Sequence, residues 1–300
     1  MNDEVIVRTH GLKKHFGKVP AVDGVDLELC RGEVFGFLGP NGAGKTTTIG
    51  MLLGLLRPTS GTVEVFGAPV TPAQTAALAR VGSLVGSPGL YPYLSGRENL
   101  RLVAGVHAPV PADRLQEVLV QVGLAEAADR KVKGYSSGMK QRLGLAAALV
   151  HGPELLILDE PTNGLDPAGM RDVRDLLRDL ASRGTTVFLS SHLLHEVEQV
   201  CDRAAVLNHG RIVAQGAVGE LLTGERVVRA RVPDPAAAGR VLASLPGAER
   251  ILTNGHYVEV RGVSSESVVS HLIGNGIVPS EIGAGQADLE SVFLTLTQEA

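Results

Sequence analysis

A glycine-rich stretch near residue 40 has the residue types and spacing of a phosphate-binding loop. It fits the pattern GxxxxGK[ST] and consists of Gly39, Pro40, Asn41, Gly42, Ala43, Gly44, Lys45 and Thr46. Glycines let successive backbone N–H groups turn toward a phosphate, and the N-terminus of a following helix adds partial positive charge. Lys45 would bring a cation to the β- and γ-phosphates, and the Thr46 hydroxyl would ligate Mg²⁺. These residues, with Thr47 beside them, form a predicted nucleotide site.

A second set of reactive side chains follows a short apolar run at residues 155–158. Such a run, without alternation, is typical of a strand buried on both faces. A strand here would bring Asp159 beside the phosphates, where it could hold Mg²⁺, and would place Glu160 one residue further. From there Glu160 could polarise an attacking water. A lone acidic strand end is usually structural, but its pairing with the glycine-rich loop favours a hydrolytic site.

Both motifs require strands that end at one edge of a sheet. An apolar run at 33–38 precedes the glycine-rich loop, and a helical pattern at 46–56 follows it. Another apolar run at 186–189 follows a helical pattern at 173–180. This order predicts an α/β fold, the mostly parallel core of a P-loop NTPase.

The remaining segments predict further parts of the fold. Alternating apolar positions at 5–29 indicate an antiparallel β segment, and residues 71–150 indicate a largely helical lobe. After residue 225 the sequence indicates a strand at 227–232, a hairpin around Asn254-Gly255 and helices at 263–273 and 288–297. We therefore expect a domain at 1–225 and a small α+β domain at 226–300. The smaller domain would be a structural cap, or regulatory, or dimer-stabilising.

Charge and hydropathy narrow the class of protein. The 300 residues include 28 basic and 32 acidic side chains, a formal net charge of −4 that does not predict a nucleic acid partner. The most apolar stretch, 143–150, is far shorter than the about 20 residues needed to span a bilayer. The first four residues include two acidic side chains and no basic one, unlike the basic start of a signal peptide. We expect a cytoplasmic protein, so another chain must complete any transport function.

Three further segments occur in one order and carry a family resemblance. They are Tyr135–Gln141 (YSSGMKQ), Asn163–Pro167 (NGLDP) and Ser190-Ser191-His192. Together with the two motifs above, they resemble the signature, D-loop and switch histidine of ATP-binding cassette (ABC) proteins over residues 5–225. The alternatives, a GTPase or a small-molecule kinase, leave these segments unexplained, and the GTPase tetrad Asn-Lys-x-Asp is absent from the sequence.

The resemblance implies roles for several residues. Ser136 and the N–H groups around Gly138 would contact the γ-phosphate of ATP held by a second ABC subunit, so function would require a dimer, homomeric or with a related chain. His192 would join Glu160 and Lys45 as a catalytic residue. Asp166 would belong to the nucleotide site. The resemblance also implies that Phe16 stacks on adenine, with core packing as the alternative, whereas His195 is expected on a helix surface.

Two positions depart from the family pattern. Gly86 stands where the family usually has Gln or Glu in the loop that senses Mg²⁺ and the membrane subunit. Ser137 and Met139 replace the usual Gly and Gln of the signature. We expect ATPase activity to survive both departures, with nucleotide coupling altered or another residue substituting at position 86.

Two more segments resemble a narrower group within the family. Residues 88–100 (PGLYPYLSGRENL) and 288–293 (DLESVF) are similar to ABC subunits of bacterial drug, antibiotic-resistance and polysaccharide exporters. That similarity implies a separate transmembrane permease subunit and a position on the inner face of the membrane. The alternative is a soluble ABC ATPase acting on ribosomes or nucleic acid, a class that usually has two cassettes or a coiled-coil insertion. This chain has one cassette and no such insertion.

Overall fold

The computed structural model describes residues 4–106, 110–111, 113–223 and 227–284. The chain divides after Val218 into two compact units, each with its own hydrophobic core. The predicted boundary after residue 225 lies seven residues further along (225 − 218), beyond a short helix that begins at Val218.

The first unit combines two sheets with helices. Its strands are β1 (Val5–Phe16), β2 (Val19–Cys30), β3 (Val34–Leu38), β4 (Ser60–Val65), β5 (Ala68–Pro69), β6 (Val81–Leu84), β7 (Leu155–Asp159), β8 (Thr186–Ser191), β9 (Arg203–Asn208) and β10 (Arg211–Ala217). Its helices are α1 (Lys45–Leu52), α2 (Gly96–Ala104), α3 (Arg114–Gln121), α4 (Ser137–Leu149), α5 (Pro167–Ser182) and α6 (Leu194–Val200), and α7 (Val218–Thr223) crosses the division.

The larger sheet positions the predicted site. Its order is β10-β9-β3-β8-β7-β6, and all neighbours are parallel except the edge pair β10 and β9. Every residue of β3, β7 and β8 is buried, as the apolar runs predict. Because these three neighbouring strands run in one direction, their carboxyl ends meet at one edge. The α/β prediction is confirmed.

The smaller sheet is antiparallel, as predicted for residues 5–29. Its order is β2-β1-β4-β5, and β1 pairs with both β2 and β4. Alternate residues such as Val25, Leu27 and Leu29 are buried in the same core as the parallel sheet. The period-two pattern therefore arises because one face of this sheet packs on the core and the other faces solvent.

The region 71–150 is helical at α2, α3 and α4, but the prediction is wrong at residues 81–84. These residues form β6, which pairs with β7 in the parallel sheet from Val81↔Leu155 to Leu84↔Leu158. A four-residue strand containing glycine gives no periodicity of its own, and pairing with β7 decides its structure. Helix α2 begins at a capping box in which Ser95 and Glu98 exchange hydrogen bonds.

The second unit has the strand and helix order β11 (Val227–Arg231), α8 (Pro235–Leu242), β12 (Ile251–Asn254), β13 (Tyr257–Arg261), α9 (Ser265–Gly274) and β14 (Glu281–Ala284). The antiparallel sheet has the order β12-β13-β11-β14, which is a βαββαβ arrangement. The predicted hairpin is present, with its turn at Gly255-His256. Helix α8 was not predicted, and the predicted helix at 288–297 lies outside the described residues.

Among the described residues, no helix is long and apolar enough to cross a bilayer.

Candidate nucleotide site

The glycine-rich loop connects β3 to α1 at the carboxyl edge of the parallel sheet. Gly44 immediately precedes α1 and has φ 110°, a left-handed conformation that favours glycine. A Cβ at Gly44 would lie 2.3 Å from the carbonyl oxygen of Ala21. The loop thus depends on glycine at this position for both its conformation and its packing.

Lys45 points into the loop rather than into solvent. Its side chain is 6% exposed, and Nζ donates to the carbonyl oxygen of Gly39 over 2.7 Å and to that of Pro40 over 3.3 Å. The same nitrogen lies 3.4 Å from Oε1 of Glu160. The structure therefore holds one buried cation between the glycine-rich loop and the acidic strand end.

Oxygen ligands for a cation meet at the end of β7. Thr46 Oγ1 donates to Oδ2 of Asp159 over 2.8 Å, and Ser190 Oγ donates to Oδ1 over 2.5 Å. Hydroxyl and carboxylate oxygens fit Mg²⁺, which is bound through one or two side chains and completed by phosphate and water. Within the described ranges, no group of three or more His, Cys, Asp and Glu could hold a metal ion. An ion held by Thr46 and Asp159 would take its other ligands from the nucleotide and solvent.

Glu160 is held in an uncommon backbone conformation. Its φ is +51°, in the left-handed region that non-glycine residues seldom adopt. Its N–H donates to the carbonyl oxygen of Ser190 over 3.2 Å and to Ser190 Oγ over 3.1 Å. The residue leaves β7 with its backbone tied to the neighbouring strand β8, and strain of this kind often accompanies function.

His192 contacts the Glu160 carboxylate directly. Its Nδ1 lies 2.6 Å from Oε2 of Glu160, so Nδ1 donates when the carboxylate is ionised. The Glu160 side chain is 21% exposed and that of His192 is 41% exposed, so both remain accessible to a ligand. The three residues predicted to be catalytic, Lys45, Glu160 and His192, are thus brought into one contact network.

The signature and D-loop residues lie at helix N-termini. Ser136 caps α4 by accepting from the N–H of Met139 over 3.2 Å, and Asp166 caps α5 by accepting from the N–H of Gly169 over 3.0 Å. Across the described part of the chain, no hydrogen bond joins Ser136, Gly138 or Asp166 to the glycine-rich loop. The predicted site residues therefore form two groups, one around Lys45 and one at these helix starts.

A cavity of about 440 Å³ lies against the first group. Its lining includes Thr46, Asp159 and Glu160 together with Gly86 and Gln141. Gly86 has φ +63°, and a Cβ there would have no atom within 4 Å. Position 86 therefore faces the reacting groups but presents only backbone to them.

Two residues that contact the site were not predicted. Gln141 donates from Nε2 to the carbonyl oxygen of Pro161 over 3.2 Å and toward that of Glu160 over 3.4 Å. Ser190 supports both Asp159 and Glu160, as described above. Both residues stand inside motifs that the sequence singled out, YSSGMKQ and Ser190-Ser191-His192, where other residues received the roles.

Phe16 and His195 both have exposed side chains. Phe16 is 50% exposed, with Lys14 Nζ 5.2 Å from its ring centroid, so it does not pack in the core. An exposed aromatic ring is available for stacking. His195 lies on the surface of α6 with a 75% exposed side chain, as expected.

Comparison with known proteins places these features in a family. The family model described as ABC transporter matches residues 22–163. The bacitracin transport ATP-binding protein of Bacillus licheniformis is 46% identical over 70% of this chain and 69% of its own length. The daunorubicin/doxorubicin resistance ATP-binding protein of Streptomyces peucetius is 38% identical over 97% of this chain and 92% of its own length.

Solved structures show the same fold. The ATP-binding subunit of an ABC transporter superposes with a TM-score of 0.66 at 28% identity, over 72% of this chain and 91% of that chain. The Streptomyces relative also spans the second unit, whereas the solved structure matches a length close to that of the first unit. The site geometry, the family model and relatives above 30% identity agree, and the chain belongs to the ATP-binding proteins of ABC transporters.

Proposed function

We propose that this chain is the ATP-hydrolysing subunit of a membrane exporter and works with a second ABC subunit and a separate transmembrane permease. The observation that carries the proposal is the contact network of Lys45, Glu160 and His192 beside the Thr46–Asp159 pair. The relatives named for bacitracin transport and for daunorubicin/doxorubicin resistance support export. Through the permease, the chain would lie on the cytoplasmic face of the membrane.

The residues of the site divide the work of hydrolysis. Lys45 and the loop N–H groups bind the β- and γ-phosphates, and Thr46 and Asp159 would hold Mg²⁺. When bound, Mg²⁺ would draw charge from the phosphate oxygens. Glu160 accepts a proton from water as the water oxygen bonds to the γ-phosphorus and the bond to the bridging oxygen of ADP breaks. His192 contacts the Glu160 carboxylate through Nδ1 and would also contact the γ-phosphate.

The site is completed by a second subunit. Within the described residues, neither Ser136 nor Gly138 forms a hydrogen bond to the glycine-rich loop of its own chain, and Ser136 is exposed at the start of α4. A helix N-terminus favours an anion. We assign the signature of one subunit to the γ-phosphate bound by the other, with Asp166 at the same interface and Phe16 on adenine.

The permease would dock beside the helical region. A cavity of about 360 Å³ lies between β6, α2 and α4, with a lining that includes Leu84, Val85, Leu90 and Leu100. Tyr91 lines the same cavity and is 62% exposed. The lining also includes the polar residues Ser83, Asn99 and His151. A cavity of mixed polarity with an exposed aromatic side chain at its rim is the kind of surface that receives a partner. The division into an ATPase domain at 1–225 and a regulatory or dimer-stabilising domain at 226–300 belongs to the same proposal.

We predict that the Glu160→Gln variant dimerises when it binds ATP. Because this variant would retain ATP, its mass by light scattering should rise from 31.3 kDa toward about 63 kDa, twice the chain mass, with Mg-ATP but not with ADP. Adding Ser136→Asp keeps a good cap on α4 but places a negative charge against the γ-phosphate. That addition should prevent the mass increase without lowering thermal stability. A constant mass at saturating ATP would exclude a second copy as the partner and leave only a related subunit.

A further inference from the structure

Glu196 is a buried carboxylate to which the hydrolytic mechanism above gives no role. It lies on α6 and is 7% exposed. None of the ion pairs formed by the described residues includes it, and its Oε1 is buried without a hydrogen-bond partner. Burying a carboxylate is costly unless it is paired or hydrogen-bonded. Any role of the Glu196 carboxylate must therefore depend on its other oxygen, Oε2.

The other oxygen, Oε2, lies close to two loops. Thr162 Oγ1 donates to it over 2.6 Å, and Thr162 is itself 7% exposed. Ser191 Oγ lies 3.5 Å from the same oxygen and accepts from the N–H of Leu193 over 2.9 Å. Thr162 is two residues after Glu160, and Ser191 immediately precedes His192. One buried oxygen therefore accepts a hydrogen bond from the Glu160 loop, and α6, which carries it, begins directly after the His192 loop.

The conformation of Glu160 explains why such a contact matters. Its positive φ is unfavourable for a residue with a side chain and persists only where the surroundings fix it. On the upstream side β7 and Ser190 hold its backbone. On the downstream side the chain turns at once, with the N–H of Leu165 donating to the Thr162 carbonyl oxygen over 3.1 Å. The Thr162 hydroxyl then anchors this turn to Glu196.

We propose that Glu196 is a positioning residue that holds the Glu160 loop against the His192 loop by accepting the hydrogen bond from Thr162. It does not touch the nucleotide or the attacking water. Its effect is to keep the Glu160 carboxylate within hydrogen-bond distance of His192 Nδ1 when ATP binds. The inference rests on the proposed catalytic role of Glu160.

The test uses two pairs of variants in the full chain. Thr162→Val removes the donor at nearly constant volume, and Thr162→Ser retains it. Glu196→Met removes the acceptor, and Glu196→Gln retains an acceptor oxygen. Glu198→Gln is the matched control on the same helix, since its carboxylate instead lies 3.8 Å from Nδ1 of His195. ATP turnover, the Kd for Mg-ATP and the unfolding temperature are measured for each.

Thr162→Val and Glu196→Met should each lower kcat by about tenfold to a hundredfold, because a small misplacement of reacting groups has effects of that size. Their Kd for Mg-ATP should stay within about twofold, since the phosphate-binding residues are untouched. Thr162→Ser, Glu196→Gln and Glu198→Gln should retain most of the parent rate. The double variant Thr162→Val/Glu196→Met should lose no more than either single variant, because both remove one interaction.

Three results would overturn the inference. These are a parent-like kcat in Thr162→Val, losses that multiply in the double variant, and a fall in ATP affinity that matches the fall in rate. If Glu196→Met does not fold, the Thr162→Val and Thr162→Ser pair still decides. Glu160→Gln in the same assay tests the catalytic role of Glu160 separately from the positioning role of Glu196. A parent rate in that variant removes the catalytic assignment, whereas a loss there with none in Thr162→Val removes only the role of Glu196.

Discussion

Replacing Glu160 by Gln is expected to lower ATP turnover by about 10²–10⁴-fold, the usual contribution of a general base. The carboxylate contacts both Lys45 Nζ and His192 Nδ1 and borders the cavity that also exposes Thr46 and Asp159. Gln has nearly the same shape but cannot accept the proton from water. ATP binding should persist, because the phosphate-binding loop is unchanged. The measurement compares kcat and the Kd for Mg-ATP between the variant and the parent.

Glu154→Gln is the matched control for this loss. Glu154 immediately precedes β7, at the end of the strand opposite Glu160, and pairs with Arg31 and Arg80. These two guanidinium groups lower the pKa of its carboxyl to about 2. Its replacement should leave turnover per folded molecule unchanged. Parent-like turnover in Glu160→Gln would show that another group accepts the proton.

Replacing Lys45 by Met is expected to affect binding and turnover together. Met keeps the length of the side chain but removes the only charge that the described structure directs into the glycine-rich loop. A hydrogen bond to a charged group contributes enough that the Kd for Mg-ATP should rise about 10–100-fold. Turnover at saturating ATP should fall about 10²–10³-fold, as when a donor that stabilises transition-state charge is lost.

The control for Lys45 removes a lysine elsewhere. Lys131 is exposed and precedes the signature segment, outside the glycine-rich loop. Lys131→Ala should match the parent in both constants. If Lys45→Met lowered turnover at an unchanged Kd, Lys45 would act only in the transition state and the assigned role in ATP binding would be wrong.

The parts of the fold that the sequence predicts are those with a pattern of their own. The buried runs of β3, β7 and β8 lack alternation, and β1 and β2 alternate, so these five strands follow from local sequence, whereas β4, β5, β9 and β10 were not predicted. Strand β6 has no such pattern, because four residues acquire their structure only by pairing with β7. Helix α8 was also missed, although a capping Asp234 followed by Pro235 is a signal for the start of a helix.

The residues of the site likewise divide into those that local sequence predicts and those that it does not. Lys45, Thr46, Asp159, Glu160 and His192 stand in motifs whose spacing indicates their chemistry, and the structure brings them together. The supporting residues Gln141, Thr162 and Glu196 act through backbone carbonyls or one buried oxygen. Such contacts depend on how α4 and α6 pack beside the β7–α5 loop, which no local spacing encodes. The left-handed φ of Glu160 is likewise visible only in the folded chain.

The proposal that this ATPase drives a membrane exporter through a separate permease can be tested by purifying the tagged chain from detergent-solubilised membranes of its native host and identifying the proteins that accompany it. We expect a stoichiometric protein with many membrane-spanning helices, together with a second ABC subunit or a second copy of this chain. Recovery with ribosomes or nucleic acid, and without a membrane protein, would contradict the exporter while leaving the ATPase assignment in place.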